Sequence, residues 1–172
     1  MKQTELKVLS ELMKNSKISD RALAEIVGVS QPTITRTRTR LEEEGYIKEY
    51  TLIPDFAKLG FELMALIFIH YKKEITPEEY EKVKIEAKKV EKKTPRAVLM
   101  AVTGMGLGYD RALLTFHEDY ASFAETVRRI RQLPFRAVAD IESFIVPLDE
   151  QHYQPMTFSA LANYVLTRKK KK

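Results

Sequence analysis

Apolar positions in the first third of the chain recur at helical spacing. Leu6, Leu9, Leu12 and Met13 fall three and four residues apart and predict an amphipathic helix over 4–14. After the polar break Asn15-Ser16-Lys17, Leu23, Ile26 and Val27 form the inner face of a second helix. Ser19 is its predicted cap, Ile18 can staple onto Leu23, and Gly28 ends it, since a left-handed C-terminal residue costs least without a side chain. The device then repeats. Val29 can staple onto Ile34, Ser30 caps a third helix that runs to Gly45, and Pro32 sits in the first turn, where a missing N–H is harmless. Two helices joined at so tight a turn predict a helix-turn-helix.

Residues 46–53, YIKEYTLI, are rich in β-formers and stop at Pro54, which predicts a strand serving as a wing or arm. The segment 54–60, PDFAKLG, is the expected linker. Beyond it come a strand at 61–72, a charged helix at 77–93 and a strand at 96–103. The turn GMGLG then leads to a strand at 109–117, a helix at 118–132 and a strand at 135–147. That order is a βαββαβ, ferredoxin-like sheet with both helices on one face. The fold class is α+β. The expected domains are a winged helix-turn-helix at 1–53, a βαββαβ oligomerisation domain at 61–148, and a C-terminal extension at 149–172.

The first strand is apolar on both faces: Leu63, Ala65, Ile67 and Ile69 on one, Met64, Leu66 and Phe68 on the other. Such strands are buried on both faces. The helices cover one, and a second copy's sheet is the expected cover for the other, hence a homodimer at least. The alternative is that the C-terminal stripe Phe158, Leu161 and Val165 folds back over it.

The run TITRTRTR alternates like a strand, but its flanking caps assign it to the third helix. At 100° per residue, Ile34, Leu41 and Thr37 point inward, while Thr33, Thr35, Arg36, Thr39 and Arg40 spread over the outer arc. Short hydroxyls and guanidinium groups on one exposed face suit a DNA major groove. The bland alternative is a solvated charged face. Arg38, at the edge of the buried side, is expected to reach outward toward Glu42. Lys48 on the wing can touch phosphate.

Composition narrows the picture only a little. The 172 residues are 44% hydrophobic and 31% charged, as in a globular protein. The net charge of +5 does not mark the DNA-reading part: residues 1–60 carry ten basic against nine acidic residues, and Arg168–Lys172 are all basic. The apolar run Leu63–Ile69 is too short to span a bilayer, and the N-terminus lacks a signal-peptide core, so a cytoplasmic location is expected. No cysteine is present, so there is no thiolate metal site, disulfide or thiol nucleophile. No catalytic set, metal or cofactor is expected.

The runs VGVSQPTITRTRTRLEEEGYIKEYTLIPDFAKLG and AVTGMGLGYDRALLTF resemble the Lrp/AsnC, or feast/famine, transcription regulators. The resemblance extends to about Leu148. It implies a winged helix-turn-helix joined to a βαββαβ (RAM-type) effector domain, dimers that assemble to tetramers or octamers, and an amino-acid effector. It puts Ser30, Gln31, Pro32, Thr33, Thr35, Arg36, Thr39 and Arg40 in the DNA-reading segment. It also aligns the family's Gly-Asp-Tyr-Asp-like effector turn with GMGLGYD, best at Gly108, Tyr109 and Asp110. Gly104, Gly106 and Gly108 let backbone N–H groups approach a carboxylate, and Asp110 can hold an ammonium group; the alternative is a flexible hairpin with Asp110 capping its turn. Two other functions compete. One is an architectural DNA-coating protein without an effector. The other is an AsnC-like sirohaem decarboxylase using histidines such as His70, His117 and His152.

Overall fold

In the computed structural model of the chain, α1 (Gln3–Lys14) buries Val8 and Leu12, with Leu9 packed beside them. The periodic stripe expected of Leu6, Leu9, Leu12 and Met13 is therefore rotated toward Val8. Residues 1–72, 76–93, 98–132, 138–149 and 157–167 are described. The chain divides into two units, Met1–Pro54 with His152–Lys172, and Asp55–Gln151.

In the first unit, α2 (Asp20–Val27) begins at Ser19, whose side chain accepts the Ala22 N–H, and ends at Gly28 with φ 79°. Leu23, Ala24 and Val27 are buried, whereas Ile26 is exposed, so Ala24 takes the place expected of Ile26 on the inner face. The next helix, α3 (Gln31–Glu43), buries Ile34 and Leu41 against these residues. It stops at Glu43, and Gly45 follows at φ 73°. Each fully buried aliphatic side chain here contributes about 1.5–3 kcal/mol.

Residues 46–53 do not form the expected strand. They run as an irregular arm, since a strand needs a ladder partner and this unit has no other strand among its described residues. A final helix, α6 (Ser159–Thr167), belongs to this unit too and packs on α1, with the buried Ser10 hydroxyl donating to the Ala162 carbonyl at 3.0 Å. Its docked side is Ala162, and the stripe of the alternative reading is not the buried side: Phe158 and Leu161 are exposed.

The second unit opens with a turn closed by Gly60, then alternates β1 (Leu63–Tyr71), α4 (Pro77–Lys93), β2 (Val98–Gly106), β3 (Tyr109–His117), α5 (Tyr120–Arg131) and β4 (Val138–Pro147). The sheet order is β2-β3-β1-β4, antiparallel throughout, which is the ferredoxin-like arrangement. Asp119 caps α5 by accepting the Ser122 N–H at 2.7 Å. Ala65, Ile67, Ile69 and Tyr71 of β1 pack with Val83 of α4 and with Phe123 and Ile130 of α5.

The opposite face of the sheet is apolar and open. Leu66 stands in register between Leu114 of β3 and Phe144 of β4, and Met100 of β2 continues the row. Phe144 is 63% exposed and Met100 is 43% exposed. No helix of the described residues is long and apolar enough to cross a membrane.

Candidate nucleic-acid interface

The outer arc of α3 is built by what its inner side buries. With Ile34 and Leu41 fixed in the core, Gln31, Pro32, Thr33, Thr35, Arg36 and Thr39 are exposed on one helix. Ser30 and Lys48 are exposed beside them. An open depression at the α2–α3 turn is lined by Arg21, Gly28, Ser30 and Gln31. Ser30 has the extended backbone of a cap, but its hydroxyl pairs with Thr33 Oγ1 at 2.9 Å instead of accepting a helix N–H.

The three arginines divide into different roles. Arg36 is exposed and has no carboxylate partner among the described residues. Arg38 does not reach Glu42. Its Nη2 lies 2.6 Å from Asp20 Oδ1 and donates to the Ile18 carbonyl at 3.1 Å, while its guanidinium sits 5.9 Å from the Tyr50 ring centroid. Asp20 wins because it is half-buried at the start of α2, where a desolvated ion pair outweighs an exposed one. Glu42 instead accepts the Tyr50 hydroxyl at 2.6 Å, which pins the arm to α3. Burial, with Glu42 next, pushes the Tyr50 phenol up.

Arg40 leaves the free outer arc. It pairs with the buried Glu5 of α1 and lies 3.7 Å from Glu44. Burial alone would raise the Glu5 carboxyl, but the Lys2 N–H and Arg40 together hold it below the ordinary range. Sequence reasoning missed Glu5, Asp20 and Tyr50. An acid in a first helical turn already has a sufficient local reason, the helix dipole, so nothing in the pattern revealed the cross-helix partners.

The candidate effector residues lie in the second unit. GMGLG is not a five-residue loop: β2 runs to Gly106, which pairs with Tyr109, and only Leu107 and Gly108 make the turn, at φ 54° and 81°. Two positive φ angles match the twist of a hairpin, at a cost of roughly 1–2 kcal/mol for Leu107, which has a Cβ. Asp110 does not cap this turn. Its Oδ2 accepts the Tyr71 N–H at 2.8 Å and faces His70 Nδ1 at 3.1 Å. Tyr109 lies against Phe68, with its hydroxyl 3.5 Å from Asp140 Oδ2. Burial, then the Glu142 and Asp140 carboxylates, push its phenol up. Gly104 is exposed in β2.

The histidines do not converge. Buried His117 donates from Nε2 to Thr115 Oγ1 at 2.8 Å, since the Thr115 proton goes to the Ala65 carbonyl at 3.2 Å. His152 lies outside the described residues, as do Arg168–Lys172. Among the described residues, no three His, Asp or Glu side chains are grouped to hold a metal.

A family profile described as winged helix-turn-helix DNA-binding matches residues 1–48. The HTH-type transcriptional regulator LrpC of Bacillus subtilis is 37% identical over 65 residues, 38% of this chain and 45% of that protein. The matched stretch spans less than half the length of each of the first curated relatives. The structure of an AsnC family transcriptional regulator from Agrobacterium tumefaciens has a TM-score of 0.72 at 21% identity, covering 88% of this chain and 92% of that one. Transcriptional regulator NMB0573 from Neisseria meningitidis, solved as a complex with L-Met, has a TM-score of 0.72 at 22% identity, covering 94% of this chain and 99% of that one. Residues 1–48 thus carry a helix-turn-helix that matches a winged DNA-binding profile, and the second unit is a four-stranded, ferredoxin-like sheet. The chain's fold matches that of the solved AsnC-family and LrpC structures.

Proposed function

We propose that the chain is a sequence-specific, DNA-binding transcriptional regulator that works as a dimer or larger assembly. The observation that carries this reading is the division of labour on α3, where the inner side is locked by Ile34, Leu41, Arg38 and Arg40 while Thr33, Thr35, Arg36 and Thr39 stay outward. A helix held this rigidly can enter a major groove without reorganising, with Arg36 bidentate on guanine or phosphate. Gln31, Pro32 and Ser30 at its start approach the backbone, and Lys48 on the arm adds a phosphate contact. The open apolar row Leu66, Leu114, Phe144 and Met100 supports pairing of two sheets, which would present two such helices to one duplex. The partial similarity to the transcriptional regulator LrpC and to a leucine-responsive regulatory protein supports the same reading, for which a cytoplasmic setting is the natural one.

An amino-acid effector belongs to this reading as a second step. NMB0573 was solved with L-Met, and the β2–β3 hairpin here brings the turn residue Gly108 beside Tyr109 and Asp110. Asp110 would meet an ammonium group through Oδ1, because Oδ2 is held by Tyr71 and His70. An architectural role without an effector is the competing reading.

Genome-wide recovery of bound DNA, with and without added amino acids, tests the proposal. Discrete recovered sites that shift with one amino acid support it. Uniform coating of DNA favours the architectural role, and no recovery at all ends both.

A further inference from the structure

A threonine hydroxyl has one proton to donate and two lone pairs with which to accept. On α3 that proton is already committed at two of the outward or flanking threonines. Thr37 donates to the Thr33 carbonyl at 2.8 Å. Thr35 Oγ1 lies 2.7 Å from Asp20 Oδ2 and 3.2 Å from the Gln31 carbonyl, two acceptors with nothing to give in return.

Back-bonding of a helical threonine to the carbonyl four residues earlier is common and would say little by itself. Asp20 is different. It comes from another helix, carries a full charge that makes its hydrogen bonds the stronger kind, and is itself held by Arg38 at 2.6 Å. The carboxylate cannot follow Thr35 outward without breaking that ion pair. Thr35 therefore keeps its oxygen turned to α2 and to its own helix, and its methyl group is what an outside partner meets.

We infer that Asp20 makes Thr35 an apolar reader: in the groove, Thr35 contacts the 5-methyl group of a thymine and does not hydrogen-bond a base edge. Asp20 is the positioning residue, since it fixes the rotamer without touching DNA. This rests on the DNA-reading proposal above. It resolves a choice that residue type alone leaves open, because threonine can serve either role in a major groove.

The test uses the full chain and duplexes selected by it from a random-sequence library. Each thymine of a selected duplex is replaced in turn by deoxyuridine, which removes only the methyl group. Binding is then compared for the wild type, Thr35→Val and Thr35→Ser. Valine keeps the shape and methyl but has no hydroxyl; serine keeps the hydroxyl and loses the methyl. The expected result is that Thr35→Val binds within about twofold of the wild type. One thymine per half-site should cost both of them about fourfold on replacement, the worth of one buried methyl-sized group, and cost Thr35→Ser nothing. The inference is overturned if Thr35→Val, folded by circular dichroism, loses tenfold or more. It is equally overturned if every replacement affects the wild type and Thr35→Ser alike. Should the wild type select no duplex at all, the DNA-reading proposal itself fails, and this one with it.

Discussion

Asp20 and Arg38 meet at 2.6 Å across the turn between α2 and α3, so the first residue of one helix fixes the orientation of the next. Both side chains are mostly buried, 22% and 18% exposed, and Arg38 adds a bond to the Ile18 carbonyl. A guanidinium on α3 is thereby made part of the scaffold. The nearby Arg36, two residues earlier, stays available.

Breaking this contact from either side leaves a charge without its partner. Arg38→Leu and Asp20→Leu should each destabilise the protein by about 1–3 kcal/mol, the usual cost of stranding a hydrogen-bonded charged group. The double variant should lose less than the sum of the two, by about 1 kcal/mol or more, because the second change removes the stranded group. Urea denaturation of the four proteins measures the coupling. Strict additivity would mean that the pair holds nothing together.

Arg36 and Arg40 should separate in the same assays. Arg36→Ala should leave stability within about 0.5 kcal/mol, as exposed changes do, and should weaken specific duplexes more than random DNA. Arg40→Ala should cost about 2 kcal/mol, because buried Glu5 then loses its cation. The same pair gives an acid dependence. Folding lowers the Glu5 pKa from 4.5, so its stabilisation is present above that value and drains away as pH falls through the lower folded value. Glu5→Gln should remove that acid-side loss in thermal melts taken across the range.

How much of this was legible before folding differs by residue. Gly28 and Ser19 announce their turn, because a left-handed end and a side-chain cap each depend on a local requirement met by few residue types. The βαββαβ order is legible for the same reason, each strand and helix carrying its own period. The arm at 46–53 misled because β-propensity describes a fit to neighbouring strands, and the described residues of its unit offer none to pair with. Arg38 and Arg40 misled in another way. Their partners, Asp20 and Glu5, lie 18 and 35 positions upstream, and local spacing on α3 offers Glu42 and Glu44 as nearer alternatives. The side of α6 that docks was hidden too: Ala162 and Ser10 win by being small enough for close approach, which a count of large apolar residues overlooks.

His117 supplies a second pH dependence of the same sign at a higher pH. Burial lowers its pKa from 6.5, with only a smaller opposing pull from Asp119. The neutral ring, donating to Thr115 and packed edge-on to Phe123, is the folded form. Its stabilisation is complete above pH 6.5 and is lost as pH falls through the depressed folded value, since the unfolded chain takes up the proton first. Wild-type melting temperature should drop through this window, and His117→Gln, which can still donate to Thr115, should flatten the drop. A wild-type profile level from pH 7.5 to 5 would show that the ring is not held neutral.

The open sheet face makes the most direct prediction about assembly. Leu66, Leu114 and Phe144 lie side by side in register, with Ala65, Ile67 and Ile69 of the same strand turned to the opposite, helix-covered face. An apolar row of this kind left in water favours association, and a carboxylate placed at its centre opposes it by a desolvation cost that no partner on a second copy's apolar row offsets. Phe144→Glu should therefore shift the sedimentation mass from at least twice 19.9 kDa to a single copy. The sheet should survive, because Phe144 is mostly exposed within one chain and the core-facing Ile141 and Ile145 of the same strand are untouched. Ile85→Glu, at an exposed position on α4, should leave the assembly unchanged. A single-copy wild type, or a Phe144→Glu protein that still sediments as a dimer, would place any pairing of this chain on another surface.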